Sequence, residues 1–216
     1  MTARLVSVSQ PVIPGLNTAE ELVAYVARVS NPSNQVSGKS SAGLLKYCIK
    51  NKHWSVFETA TMTVELETTR AVAAQVLRHR SFTFQEFSQR YAVLDTDPEP
   101  QRARRQDDKN RQASHDDLPD DVVEWWRREQ DKLYDASSEL YVRALEKGIA
   151  RECARFVLPL ATPTKLYMTG NARDWIHYIE LRTGNGTQRE HAELAEQIKA
   201  IFAETFPAIA AALEWE

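Results

Sequence analysis

Between Phe57 and Thr69 the β-branched residues Thr59, Thr61, Thr63, Val64 and Thr68 dominate, and Met62, Val64 and Leu66 recur at every second position. That alternation predicts a strand with one apolar face. The next eight residues, Arg70–Leu77 (RAVAAQVL), switch to helix-favouring types and run directly into Arg78, His79 and Arg80. A strand therefore passes into a helix with no linker, and the helix ends on three basic side chains.

Arg4–Ser9 alternates as a first strand would, and Pro11, Pro14 and Gly15 break it. Thr18 with Glu20 and Glu21 opens a helix expected over 18–30, and Leu44, Leu45, Cys48 and Ile49 mark a second that ends near Asn51. The segment Asn34–Ser41 is polar and carries a glycine. Residues 95–119 form a polar insert with three prolines and the cluster Arg102, Arg104 and Arg105, expected to be a solvated or partly disordered excursion. Further helices are expected over Asp120–Lys147, Ala150–Val157, Asn171–Leu181 and Arg189–Phe202. With no repeat and no clear linker, 216 residues read as a single domain, 1–216.

Composition narrows the function classes. With 27 basic and 30 acidic side chains, the net charge of −3 gives no global pull toward nucleic acid or membrane. The apolar stretches Phe156–Ala161 and Phe206–Leu213 are far shorter than a span, and Met1–Gln10 lacks the apolar block of a secretory signal. A cytoplasmic address is expected. Cys48 and Cys153 make neither a disulfide framework nor a metal ligand set.

Two polar sets stand out. The first is Arg78, His79, Arg80, Gln85, Glu86, Ser88, Gln89 and Arg90, interleaved with Phe82, Phe84 and Phe87. Guanidiniums this close repel one another unless an anion or carboxylates neutralise them, and their planar forks suit phosphate. The phenylalanines predict a loop packed onto the body. The second set is Arg151, Glu152 and Arg155, followed by Asn171, Arg173, His177 and Arg182. Arg173 and His177 are four apart and share a helix face, whereas Arg182 is two and a half turns on and points nearly opposite. Three readings remain open on these residues alone: an anion site, a salt-bridged helix terminus, and a nucleotide- or RNA-binding patch that also uses Arg102–Arg105.

The motif Arg78-His79-Arg80, then seven residues and Ser88-Gln89-Arg90-Tyr91, resembles the signature of the flavin-dependent thymidylate synthases. Three further blocks resemble the same family in the same order: His53-Trp54-Ser55-Val56-Phe57-Glu58; Arg151 through Pro159; and Asn171-Ala172-Arg173 with Leu181-Arg182 and Gln188-x-Glu190. Thr83, Gln85, Thr59 and His177 depart from common family residues, and the insert lies outside the match.

The resemblance implies an α/β (α+β) fold, a twisted and mainly antiparallel sheet flanked by helices, assembled as a homotetramer with active sites at subunit interfaces. It implies conversion of dUMP to dTMP, with methylenetetrahydrofolate as one-carbon donor and NADPH as reductant through FAD. By position, Gln75, Glu86, Ser88, Gln89, Arg90, Arg155 and Arg182 would contact dUMP. Ser55, Arg78, His79, Arg80, Asn171, Arg173 and His177 would contact FAD, and His53 would lie near flavin and folate. Arg182 is the expected catalytic residue, a fixed cation against the uracil ring. No base stands at a readable spacing from Ser88, so that serine reads as a binding residue rather than a nucleophile. Of the two cysteines, Cys48 falls on an apolar helix face, and helical geometry turns Cys153 toward the core, away from Arg151 and Arg155.

Overall fold

A computed structural model describes residues 1–35, 40–184 and 186–215. Residues 36–39 of the polar Asn34–Ser41 segment lie outside the described residues. The chain runs β1 (Thr2–Val8), α1 (Ala19–Ala27), the single turn α2 (Pro32–Gln35), α3 (Ala42–Lys50), a 3₁₀ turn (Trp54–Thr59), β2 (Thr61–Thr69), α4 (Arg70–Val76) and β3 (Thr83–Glu86). The insert contributes the two-residue strands β4 (Arg105–Gln106) and β5 (Ser114–His115). Then follow α5 (Asp120–Glu146), α6 (Arg151–Ala154) with a 3₁₀ turn (Arg155–Val157), β6 (Pro163–Asn171), α7 (Ala172–Arg182), α8 (Arg189–Thr205) and α9 (Pro207–Ala212).

Four strands make an antiparallel sheet in the order β1-β2-β6-β3. The β2–β6 ladder is unbroken from Thr61↔Asn171 to Thr69↔Pro163. Met62, Val64 and Leu66 of β2 and Leu166 and Met168 of β6 are fully buried, together with Val72 and Val76 of α4, Trp175 and Ile179 of α7 and Phe202 of α8. The opposite face of the ladder carries Glu65, Glu67, Lys165 and Tyr167, so the apolar layer of helices covers one side only.

The strand-to-helix pivot stands where the sequence places it. Thr69 caps α4 by accepting from the Val72 N–H at 3.4 Å. Strand β2 starts later than the β-branched run suggests: the Thr59 hydroxyl donates to the Val56 carbonyl at 2.8 Å and keeps that stretch in the 3₁₀ turn. Helix α1 stops at Ala27 rather than residue 30, because Arg28 and Val29 close i→i+3 turns ahead of Pro32.

Two strands of this sheet escape the sequence reading. The central β6 has Gly170 and Pro163 where a β-branched run would have announced it, and only Leu166 and Met168 mark its inner face. The loop expected after Arg80 becomes β3, paired Thr83↔Thr169 to Glu86↔Leu166. The insert is likewise ordered, with Arg105 gripping both carboxylate oxygens of Asp117 at 2.9 and 2.7 Å and Arg102 pairing with Asp116 at 3.1 Å.

Candidate active site

The β2–α4 pivot delivers Gln75 on the last turn of α4 and then the turn Arg78–Phe82, which is pressed against α7. Phe82 packs edge-on to Trp175 at 4.7 Å between ring centroids and lies 5.9 Å from Tyr178. A Cβ at Gly170 would sit 2.5 Å from the Phe82 ring, so glycine at the end of β6 is what lets the basic turn close onto α7. Once Phe82 is fixed, Arg78 and Arg80 are exposed, and His79 is turned inward.

His79 meets Arg182 from the last turn of α7: the guanidinium Nε donates to the imidazole Nε2 at 2.8 Å. Burial first, then the charges of Arg182 and His177, push His79 from 6.5 down to about 4. The ring is therefore a neutral acceptor at physiological pH, and it orients the guanidinium without cancelling its charge. Among the described residues, no carboxylate lies within ion-pair distance of Arg78, Arg80 or Arg182.

Beside this pair runs a buried polar chain. Tyr178 Oη lies 3.0 Å from His191 Nε2, and His191 Nδ1 lies 3.3 Å from Gln75 Oε1. An amide oxygen can only accept, so Nδ1 carries the proton and Nε2 accepts from the tyrosine. Burial, reinforced by Arg182 and His79, lowers His191 to about 4. The Gln75 amide in turn donates to Gln188 Oε1, and Gln188 donates to Glu190 Oε2 at 2.8 Å.

Other expected residues gather in three neighbouring groups. Glu86 Oε1 accepts from Arg70 at 2.8 Å and from Thr164 at 2.9 Å, while Arg70 also donates to the Phe87 carbonyl. Arg90 pairs with Glu152 at 3.1 Å, and Arg151 donates to the Tyr91 carbonyl at 3.1 Å. These side chains line one wall of a cleft of about 640 Å³ whose far side is Leu145, Gly148 and Ile149. Arg155 lies on the adjoining turn, its guanidinium 5.8 Å from the Phe156 ring. Ser88 is exposed and Gln89 is buried with its Nε2 unpartnered. Finally, Arg173 pairs with Glu58, which ties the 53–58 segment carrying exposed His53 and Ser55 to the start of α7. Asn171 caps that helix, accepting from the Asp174 N–H at 3.0 Å, and His177 is exposed one turn beyond Arg173. Among the described residues, no hydrogen bond or ion pair joins the Arg90–Glu152 group to the Arg182–His79 pair.

Such an order of blocks on such a fold is matched elsewhere. Residues 12–208 match the family described as "Thymidylate synthase complementing protein". Over its full length the chain is 66% identical to the full-length protein named "Probable flavin-dependent thymidylate synthase" of Paramecium bursaria Chlorella virus 1. The chain belongs to the flavin-dependent thymidylate synthase family. It is also 49% identical, with both chains fully covered, to the flavin-dependent thymidylate synthase of Synechocystis sp.. A solved UMP/dUMP methylase, PolB from Streptomyces cacaoi bound with 5-Br dUMP, superposes with a TM-score of 0.83 at 29% identity, covering 99% of this chain and 94% of that one.

The family resemblance left four residues without a role that the geometry now gives them: Arg70 and Thr164 around Glu86, and His191 and Tyr178 beside Gln75. His191 was detectable, since it heads the apolar series Leu194, Ala195, Ile198 and Phe202 on the buried face of α8. Arg70 gave no signal beyond being the first residue of the pivot helix. One expectation is overturned outright: Cys153 is exposed. The helix there lasts only four residues before tightening to 3₁₀, so the 100° step used to turn the thiol inward does not hold, and Ala154 takes the buried position instead.

Proposed function

We propose that this chain is a flavin-dependent thymidylate synthase that converts dUMP to dTMP with FAD, NADPH and methylenetetrahydrofolate, working as a homotetramer. The observation that carries the reading is the set of cations Arg78, Arg80 and Arg182, none of them paired with a carboxylate among the described residues, with Arg182 held by a neutral buried His79. Cations held in place without carboxylates are what a nucleotide phosphate or a dinucleotide pyrophosphate requires. The same test weakens the RNA-binding alternative, because Arg102, Arg104 and Arg105 of the insert are each paired with a carboxylate.

The residues present fit FAD: Arg78 and Arg80 are exposed and pair with no carboxylate among the described residues, and His177, Ser55, Asn171 and Arg173, the last through an exposed pair with Glu58, offer further cationic and hydrogen-bonding groups. Bound FAD supplies the hydride chemistry, and the protein supplies orientation and electrostatics. On the dUMP side, Arg90 is held by an exposed pair with Glu152, an interaction weak enough for a phosphate dianion to replace. Glu86, fixed by Arg70 and Thr164, presents its remaining lone pairs to a ribose or base donor, with Gln75, Ser88, Gln89 and Arg155 completing the cradle. Arg182 places a permanent charge where negative charge grows on the uracil ring as C5 attacks the one-carbon unit. His53 is exposed and would lie near the flavin and folate. The exposed apolar side chains of Trp125, Leu133, Phe156 and Leu160 support assembly into a larger oligomer.

A dUMP-dependent tritium-release assay with FAD, NADPH and methylenetetrahydrofolate tests the reading, with UMP as the comparison substrate. Release with dUMP and a yellow, tetrameric protein in sedimentation are expected. The Cys48→Ala, Cys153→Ala double variant should retain dTMP formation. A colourless monomer that FAD cannot reconstitute would overturn the proposal.

A further inference from the structure

The insert looks peripheral, yet its central arginine is the end of the polar chain that reaches Gln75. Arg104 NH2 lies 2.5 Å from Glu190 Oε1, and this is the most enclosed ion pair among the described residues, the two side chains being 11% and 15% exposed. Glu190 in turn accepts from Gln188, Gln188 from Gln75, and Gln75 from His191, so each group between Arg104 and Tyr178 has its donor and acceptor ends assigned by its neighbours. Asp116 adds a second strap from the insert to the same helix start, pairing with Arg189.

We propose that Arg104 is a positioning residue for dUMP, acting from the insert through Glu190 and Gln188 to hold the Gln75 side chain in its binding orientation. This rests on Gln75 contacting dUMP. A free glutamine amide at the end of α4 has rotamers and a flip to choose among, and the chain selects one: Nε2 toward Gln188 and Oε1 toward His191. Without the charge of Arg104, Glu190 loses its ion-pair partner and is held less firmly, its hold on Gln188 loosens, and the donor-side anchor of the Gln75 amide weakens. The insert would then tune substrate affinity without touching substrate, and Arg105 of the same insert would not share the role, because its partner Asp117 lies outside the chain.

A double-mutant cycle on the FAD-loaded protein tests it, reading dUMP dissociation constants for wild type, Arg104→Ala, Gln75→Ala and the double variant. Arg104→Ala should weaken dUMP about threefold to thirtyfold, the range for residues that act through a packed network, and the double variant should bind no more weakly than Gln75→Ala alone. FAD affinity should stay unchanged, and Arg104→Lys, which keeps the charge at Glu190, should recover most of the loss. If Arg104→Ala unfolds the insert, Glu190→Gln weakens the ion pair while keeping the amide contacts and should give the smaller part of the same effect. Wild-type affinity in Arg104→Ala, with affinity lost in Gln75→Ala, overturns the relay alone, as does strict additivity in the double variant. Wild-type affinity in Gln75→Ala overturns the substrate contact on which the relay depends.

Discussion

In sequence, the basic turn at 78–90 and the insert run at 102–105 look alike: each packs three arginines into a short polar stretch. In the structure they differ, although Arg90 of the first pairs with Glu152. Among the described residues Arg102, Arg104 and Arg105 each reach a carboxylate, whereas Arg78 and Arg80 reach none and Arg182 leans on a neutral histidine. The difference shows that arginine density does not identify an anion site. What favours one is a cation held by a neutral acceptor, because only then is the charge left over for a ligand.

The sharpest break of this comparison comes from Arg182. If its unspent charge stabilises the reacting uracil, Arg182→Ala should lower dTMP formation by about a hundredfold or more, the scale of removing one stabilising donor, while FAD remains bound. Single-turnover dTMP formation checks it. A loss below tenfold would mean that the charge is positional only.

Next in size is Arg90, whose exposed partner Glu152 makes it an intermediate between the two regions. Arg90→Ala should cost about 1.5–3 kcal/mol of dUMP binding, the range for a charged hydrogen bond, with FAD binding less affected. Equal losses for both ligands would show instead that the 78–90 segment had collapsed.

How far the sequence could reach follows the same division. The pivot, the capped helix α7 and the four family blocks are legible because they rest on local pattern: alternation, caps and spacing. Strand β6 is not, since its identity comes from pairing with β2 and β3 on either side rather than from its own residues. The pairing state of an arginine is illegible for a related reason. Glu190 is 86 positions from Arg104, and His79 is 103 from Arg182; only the fold brings either pair together. The exposure of Cys153 failed on a subtler point, a change of helix type within one turn.

Acid should separate the two regions. His79 and His191 both sit near 4, against 6.5 when unfolded, so the unfolded chain binds the extra protons between those values. Their contribution to stability is complete above pH 6.5 and is lost as pH falls toward 4, at roughly 1.4 kcal/mol per pH unit for each histidine while it titrates. Asp107, which holds the insert hairpin through the Lys109 and Asn110 N–H groups and His115, is lowered to about 2 and stays ionised throughout that window. Urea unfolding at pH 7 and pH 5 should therefore show a drop that His191→Gln reduces, while hydrogen exchange in the hairpin changes last. An identical drop in the variant would remove His191 from the account.

The smallest effect should come from Arg105, and its smallness is informative. Its fork on Asp117 has good geometry, yet the two side chains are 41% and 52% exposed, so water and salt compete with the pair at every contact. Exposed pairs of this kind contribute little to stability, and Arg105→Ala should loosen the hairpin only marginally. Its charge is already spent on Asp117, so dUMP affinity should not move. Calorimetric titration with dUMP at low and at physiological salt measures both points. A weakening of more than about twofold that disappears at physiological salt, where screening acts over roughly 8 Å, would mean that paired arginines still project a field onto the substrate. The distinction between spent and unspent cations would then have to give way to the summed charge of the whole basic surface.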